Sequence, residues 1–285
     1  MIVNVVNAHS DLGVHIDGSR QAPYRLKEIE NLADNIYKVE KALVKKEKEK
    51  ENKEKNFRPL NAFNEELYKT ILSINDFVIT VGGDHSISIA SALASKKKNG
   101  NIGLIWIDSH SDFHNFKTTI SGNIHGMPFA TISGQNGKRL SYFFDGEYFD
   151  PQNTVLVGGR DIEPPEYINL KKAGTNIFTT EDIKKNGVKK IMEEAIKIAT
   201  QNTDGIHVSF DIDVIDPQLA PGVSIKAKDG ININEAKEIL EELLKKKKKI
   251  KSFDLVEYNP VEDIDNKTYE ITSYLLEKMI KSMKK

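Results

Sequence analysis

Residues 108–116, DSHSDFHNF, place two aspartates and two histidines within nine positions, directly after the apolar run NIGLIWI. The chain has only seven histidines in 285 residues, so this density is a local feature rather than a reflection of composition. Asp108, His110 and Asp112 are spaced i, i+2, i+4, and in extended backbone such side chains point the same way. Asp211 and Asp213 repeat the spacing in SFDIDVIDP, and His85 follows Gly-Gly-Asp at the end of another apolar run. Carboxylates packed together repel and take up protons unless a cation neutralises them. Four aspartates and two histidines form an oxygen-rich set, suited to manganese or magnesium rather than to a structural zinc site built on cysteine. Six ligands are many for one ion. They suit two ions about 3.5–4 Å apart that share bridging carboxylates. Each fragment alone reads as turn chemistry; three of them at the ends of separate apolar runs read as a two-metal site.

The elements that must position these residues are short and almost continuously apolar, as strands buried on both faces should be. Strands are predicted at 1–7, 76–83, 102–108, 153–159, 205–211 and 250–258, with helices at 24–43, 60–74, 86–97, 162–173, 181–200 and 233–248. This alternation implies one α/β domain over 1–285, with a mostly parallel central sheet and helices on both faces. In such a sheet the C-terminal strand ends share one edge, where ligands bind. Besides the six residues above, Asp161 and Glu257 fall at such ends, so that edge is expected to form one crowded acidic pocket.

Composition removes other readings. Forty-one basic residues against 42 acidic ones leave a net charge of −1, which argues against a nucleic-acid or membrane partner. The absence of cysteine excludes disulfides, thiolate metal sites and a cysteine nucleophile, and fits a cytoplasmic protein. No segment reads as a signal peptide or reaches the roughly 20 apolar residues of a membrane span. The run KKEKEKENKEK (45–55) alternates in sign and is expected to be a charged helix end or mobile surface loop, and the lysines of 245–251 suit a helix C-terminus.

GGDHS, DSHSD and SFDIDVIDP, in this order, resemble the three signature motifs of the ureohydrolases, the family of arginase, agmatinase and formimidoylglutamase. The resemblance runs from about GVHIDGSRQAPYRL to VEYNP, is weakest over 38–60, and is nearest to the arginases. It implies the arginase-like three-layer fold and two manganese ions. One ion would be held by His85, Asp108, Asp112 and Asp211, the other by Asp108, His110, Asp211 and Asp213. It implies attack on a guanidinium carbon by water activated between the cations, with an acid to protonate the leaving nitrogen. In the loop TTISGNIHGMP (118–128), His125 matches the proton shuttle, and Ser121 and Asn123 match binders of the substrate's α-carboxylate. In GGRDIEPPE (158–166), Asp161 and Glu163 match the acids that hold the α-amino group, and Glu257 of VEYNP matches the glutamate that pairs with the guanidinium. Asp84, Glu166 and Asp216 fit supporting roles. Homotrimers or homohexamers are the expected assembly.

The departures touch recognition rather than metal binding. Ser109 replaces an alanine, and His114 stands where arginases commonly carry a carboxylate-contacting asparagine. Glu163 is one methylene longer than the usual aspartate. PGVSIKAKDG (221–230) replaces a Gly-Thr-Pro segment, leaving Ser224 or nothing as a hydroxyl donor. The leading expectation is therefore hydrolysis of L-arginine to L-ornithine and urea. The alternatives are another ureohydrolase, such as formimidoylglutamase, agmatinase or a guanidino-acid hydrolase, or a catalytically silent member acting as a binding subunit.

Overall fold

The computed structural model describes residues 1–40 and 56–285. The β-branched runs form the strands expected of them. β1 (Val3–Ala8), β3 (Phe77–Val81), β4 (Ile102–Ile107), β5 (Thr154–Gly159), β7 (Gly205–Asp211) and β8 (Ile250–Val256) fall within a residue or two of the predicted spans. Two further strands, β2 (Asn35–Val39) and β6 (Asn176–Thr179), complete one sheet of order β2-β1-β3-β8-β7-β4-β5-β6 in which every pairing is parallel.

Helices cover both faces, and the two cores separate accordingly. On one face α1 (Ala22–Glu30), α6 (Thr180–Asn186), α7 (Val188–Ala199), α8 (Ile233–Lys245) and α9 (Lys267–Lys284) pack on alternate strand residues such as Val5, Ile105 and Val208. On the other, α2 (Phe57–Leu72), α3 (Ser88–Asn99), α4 (Pro128–Ile132) and α5 (Pro164–Ala173) pack on Val6, Leu104 and Trp106. No described helix is long and apolar enough to cross a membrane.

Two expectations need correction. The helix predicted over 24–43 ends at Glu30, and Asn35–Val39 instead forms an edge strand with Ile36 and Tyr37 exposed. Its sequence NIYKV has the β-branched and aromatic character of a strand, but an outer face in water removes the continuous apolar signal of the inner strands. The helix predicted over 181–200 is two, broken at Gly187, which takes φ 83° between α6 and α7. The elements β6, α9 and the short α4 have no counterpart among the predicted spans. The expectation for 45–55 lies outside the described residues.

The order places β3, β8, β7, β4 and β5 side by side, so their C-terminal ends form one continuous edge. At that edge the loop after β3 passes so close to the chain after β1 that a Cβ on Gly83 would sit 1.6 Å from the Ser10 carbonyl oxygen. Two main chains in contact cannot yield as a flexible side chain can. Gly83→Ala should therefore cost at least about 3 kcal/mol in a denaturant melt, or prevent folding; a loss below about 1 kcal/mol would refute this account of the turn.

Candidate metal centre and substrate cavity

His85 follows β3, Asp108, His110 and Asp112 follow β4, Asp211 ends β7 and Asp213 follows it, and the six side chains converge. His85 Nδ1 lies 3.1 Å from Asp108 Oδ2, 3.1 Å from Asp112 Oδ2 and 2.9 Å from Asp211 Oδ2. His110 Nδ1 lies 2.9 Å from Asp213 Oδ2 and 3.6 Å from Asp108 Oδ1. Ligand atoms of His85, Asp108 and Asp211 all lie within 4.8 Å of one another, as do those of Asp108, His110 and Asp213. Asp108 belongs to both groups, the position a bridging carboxylate must hold.

The donor set fits cations rather than internal hydrogen bonding. His85 Nδ1 and Asp112 Oδ2 are buried without a hydrogen-bond partner although they lie 3.1 Å apart. Buried polar atoms are ordinarily satisfied, so these orphans indicate a positive charge between them. The ligands are also held from behind. His85 stacks on Trp106 with centroids 4.0 Å apart and planes 6° from parallel, and its Nε2 lies 2.8 Å from Ser209 Oγ. Trp106 Nε1 donates to Asp108 Oδ2 at 2.9 Å. Ser109, the small-for-small departure, donates from both backbone nitrogen and hydroxyl to Asp213 Oδ1.

Two site residues occupy left-handed backbone, Asp112 at φ 49° and Glu257 at φ 64°. Non-glycine residues there are uncommon, carry a cost of order 1–3 kcal/mol and cluster at functional positions. Glu257 Oε1 accepts from the backbone of His85 at 2.8 Å and lies 3.1 Å from His125 Nδ1, while its Oε2 is buried without a hydrogen-bond partner. Burial opposes charge on His125, but the facing Glu257 carboxylate outweighs it and raises the imidazole pKa.

Over the cluster opens a cavity of about 240 Å³. Its inner wall includes His110, Asp112 and His125; its rim carries His114, Ser121, Asn123, Asp161 and Glu163, so all the expected recognition residues face one space. Glu257 lies behind His125 rather than in the wall. His114 Nε2 sits 3.4 Å from both Glu163 Oε2 and Glu166 Oε2. Glu166 in turn accepts from Ser111 Oγ and the Phe113 backbone, tying α5 to the loop after β4. Asp84 accepts from the backbones of Gly13 and Ser86, and Asp216 from those of Gln218 and Gly230. Ser224 does not supply a hydroxyl to the cavity: its Oγ accepts from Asn259, and Ile225 lines the wall instead.

Sequence reasoning missed His15, which lines the rim with its Nδ1 2.8 Å from Asn123 Nδ2. An exposed histidine in a loop after β1 carries no periodic or motif signal. It also missed Ser209 and Trp106, whose polar atoms are visible only once β7 and β4 are side by side.

Fold and site together define a hydrolase of the ureohydrolase class. The chain belongs to the arginase family, whose model matches residues 3–283. It is 37% identical over 238 residues to an arginase of Plasmodium falciparum, a match covering 81% of this chain and 58% of that relative's length. It is 32% identical over 289 residues to an arginase of Bacillus subtilis, covering 98% of this chain and 97% of that protein. The solved structure of an Entamoeba histolytica arginase in complex with L-ornithine matches with a TM-score of 0.87 at 30% identity, over 99% of this chain and 97% of that one.

The cluster's electrostatics set a pH dependence for the metal-free chain. Burial and then the Asp108 charge push Asp112 up to about 7; burial and then Glu257 push Asp84 up to about 6; burial, Asp213 and Asp108 raise Asp211 well above the carboxylate range. For His85 and His110 burial acts downward, yet the surrounding aspartates hold both well above the usual histidine value. Each of these groups binds its proton more tightly folded than unfolded, so stability falls as pH rises through the interval. Metal-free protein should therefore unfold at a higher temperature near about pH 5 than near about pH 7.5, and excess Mn²⁺ should cancel that loss. A metal-free melting temperature that rises over this interval would contradict the arrangement.

Proposed function

We propose that the chain is a binuclear manganese hydrolase that cleaves L-arginine to L-ornithine and urea. The observation that carries this reading is the doubled ligand cluster sharing Asp108, set directly beneath a cavity whose rim pairs amide and hydroxyl donors with carboxylates. The set of ligands assigned to two ions is His85, Asp108, His110, Asp112, Asp211 and Asp213. The chemistry a bound cation pair supplies is deprotonation of water near neutral pH. The Entamoeba arginase complex with L-ornithine supports a guanidino amino acid as the substrate class.

In this reading Asp161 and Glu163 hold the substrate's α-ammonium group, while Ser121 and Asn123 donate to its α-carboxylate. His15 joins this group through Asn123. Glu257 acts through Oε1, which faces His125 from behind the cavity wall and favours its charged form. His125, protonated and in the cavity wall, hands its proton to the leaving nitrogen, which otherwise cannot depart as a neutral amine. A second reading, hydrolysis of a formimino or other guanidino acid, is favoured by His114 facing Glu163 and by Ile225 in the wall.

Manganese-loaded protein given L-arginine should release urea and ornithine in equal amounts; bound metal without urea would reject arginine and direct the assay to formimino and other guanidino acids. His125→Asn should lower kcat by about 10²–10³-fold while metal content stays at the wild-type level. Unchanged kcat in that variant would remove His125 from the proton transfer.

A further inference from the structure

His15 comes to the cavity wall from the chain after β1. Its side chain is exposed, but the backbone that carries it is held on both sides. Gly13 N donates to Asp84 Oδ2 at 3.0 Å, and the Gly13 carbonyl accepts from His125 N at 3.0 Å. A Cβ on Gly13 would fall 2.3 Å from Asp84 Oδ1, so this approach requires a glycine. Asn56 Nδ2 donates to the Leu12 carbonyl at 3.0 Å and Asn259 Nδ2 to the Asp17 carbonyl at 3.1 Å. A ring carried on backbone tied at these points is pre-placed at the rim, which lowers the cost of using it for binding.

The ring meets the loop before α4. Asn123 Nδ2 lies 2.8 Å from His15 Nδ1, and Asn123 is 7% exposed. An amide nitrogen can only donate, so Nδ1 accepts and the hydrogen of this neutral ring sits on Nε2. The bond also fixes the amide: turned over, its carbonyl oxygen would face the Nδ1 lone pair. One Nδ2 hydrogen is engaged by His15, and the other remains for a ligand. His15 Nε2–H adds a donor in the same wall. The rim is thereby divided between amide and imidazole donors and the carboxylates of Asp161 and Glu163. Donors recognise an anion and carboxylates a cation, which matches the two charged groups of an α-amino acid.

We propose that His15 is a specificity-determining residue of this cavity: it fixes the Asn123 amide as a donor and adds Nε2–H beside it, so that guanidino substrates carrying an α-carboxylate are favoured over those without one. The inference rests on the reading that Ser121 and Asn123 face the substrate carboxylate. Without the ring the amide can turn and present its carbonyl oxygen, which repels a carboxylate. A site built on such donors discriminates against a substrate that leaves them unpaired.

The test is steady-state hydrolysis, by the manganese-loaded full-length chain, of L-arginine and of agmatine, the same guanidine without the carboxylate. His15→Ala should raise KM for arginine about 10-fold and leave kcat within about twofold. Any agmatine turnover should keep its wild-type kcat/KM, because agmatine never engages these donors. His15→Asn, whose Oδ1 can take the place of Nδ1, should restore part of the loss by holding the Asn123 amide. The melting temperature of His15→Ala should equal that of wild type, since the loop is held through its backbone; a purely structural role would lower it. An unchanged KM for arginine in His15→Ala, a parallel loss on arginine and agmatine, or a His15→Asn no better than His15→Ala would each overturn the proposal while leaving the arginine reading in place. Wild type that binds manganese and releases no urea from arginine would reject that reading first, and this inference with it.

Discussion

Negative charge concentrated at one buried sheet edge is the constraint that the rest of the structure serves. Asp108, Asp112, Asp211, Asp213 and Glu257 are each 5% exposed or less. Carboxylates so placed cannot all ionise without positive charge among them. Only a parallel arrangement delivers them together, because β3, β8, β7, β4 and β5 then end at the same edge in unbroken order. The apolar inner strands are the counterpart of this polar edge: buried on both faces, they fix where each acid emerges to within the spacing of a strand.

A recurrent device holds the carboxylates against their mutual repulsion. In each case one oxygen is tied to a backbone N–H while the other faces inward. Asp211 Oδ1 accepts from Asp213 N and Oδ2 faces His85; Asp213 Oδ1 accepts from Ser109 N and Oδ2 faces His110; Glu257 Oε1 accepts from His85 N and Oε2 is left without a hydrogen bond. Hydrogen bonds to the charged form favour it and fix the rotamer, so the inward oxygens are pre-aimed. Arg160 applies the same logic to the surrounding loops. Its guanidinium donates to the carbonyls of Asp213, Val214, Ala227 and Lys228, clamping the chain after β7 to the chain after β5.

What the sequence shows of this depends on how local the signal is. The inner strands are legible because burial on both faces makes them uniformly apolar, and the six clustered ligands are legible because they sit at period-two spacing or immediately beyond such runs. β2 and β6 are not: as edge strands they are partly polar, and the helical reading of 24–43 wins by default. His15 is illegible for a different reason. It reaches the cavity through the approach of the chain after β1 to the loop before α4, a contact between residues 108 positions apart. Ser209, Ser252 and Asp254 are similar: each is an ordinary polar residue in an apolar strand until the register of β7 against β8 aligns them with α3.

The division of labour between strand ends and loops also explains where this chain departs from its relatives' motifs. A change at Asp108 or Asp211 would alter a residue fixed by sheet register, tied to the backbone and placed against neighbouring charges, so it would disturb several interactions at once. His114, Glu163 and Ile225 sit in connections that carry no sheet pairing, where substitution perturbs the rim without moving the cluster beneath it. His114 and Glu163 face each other at 3.4 Å, so these two departures form one altered contact: the longer acid reaches a larger partner. In the proposed reading that pairing draws on the same carboxylate assigned to a substrate ammonium group, so an internal imidazole and an incoming cation would compete for it, while the ligand cluster below retains its geometry.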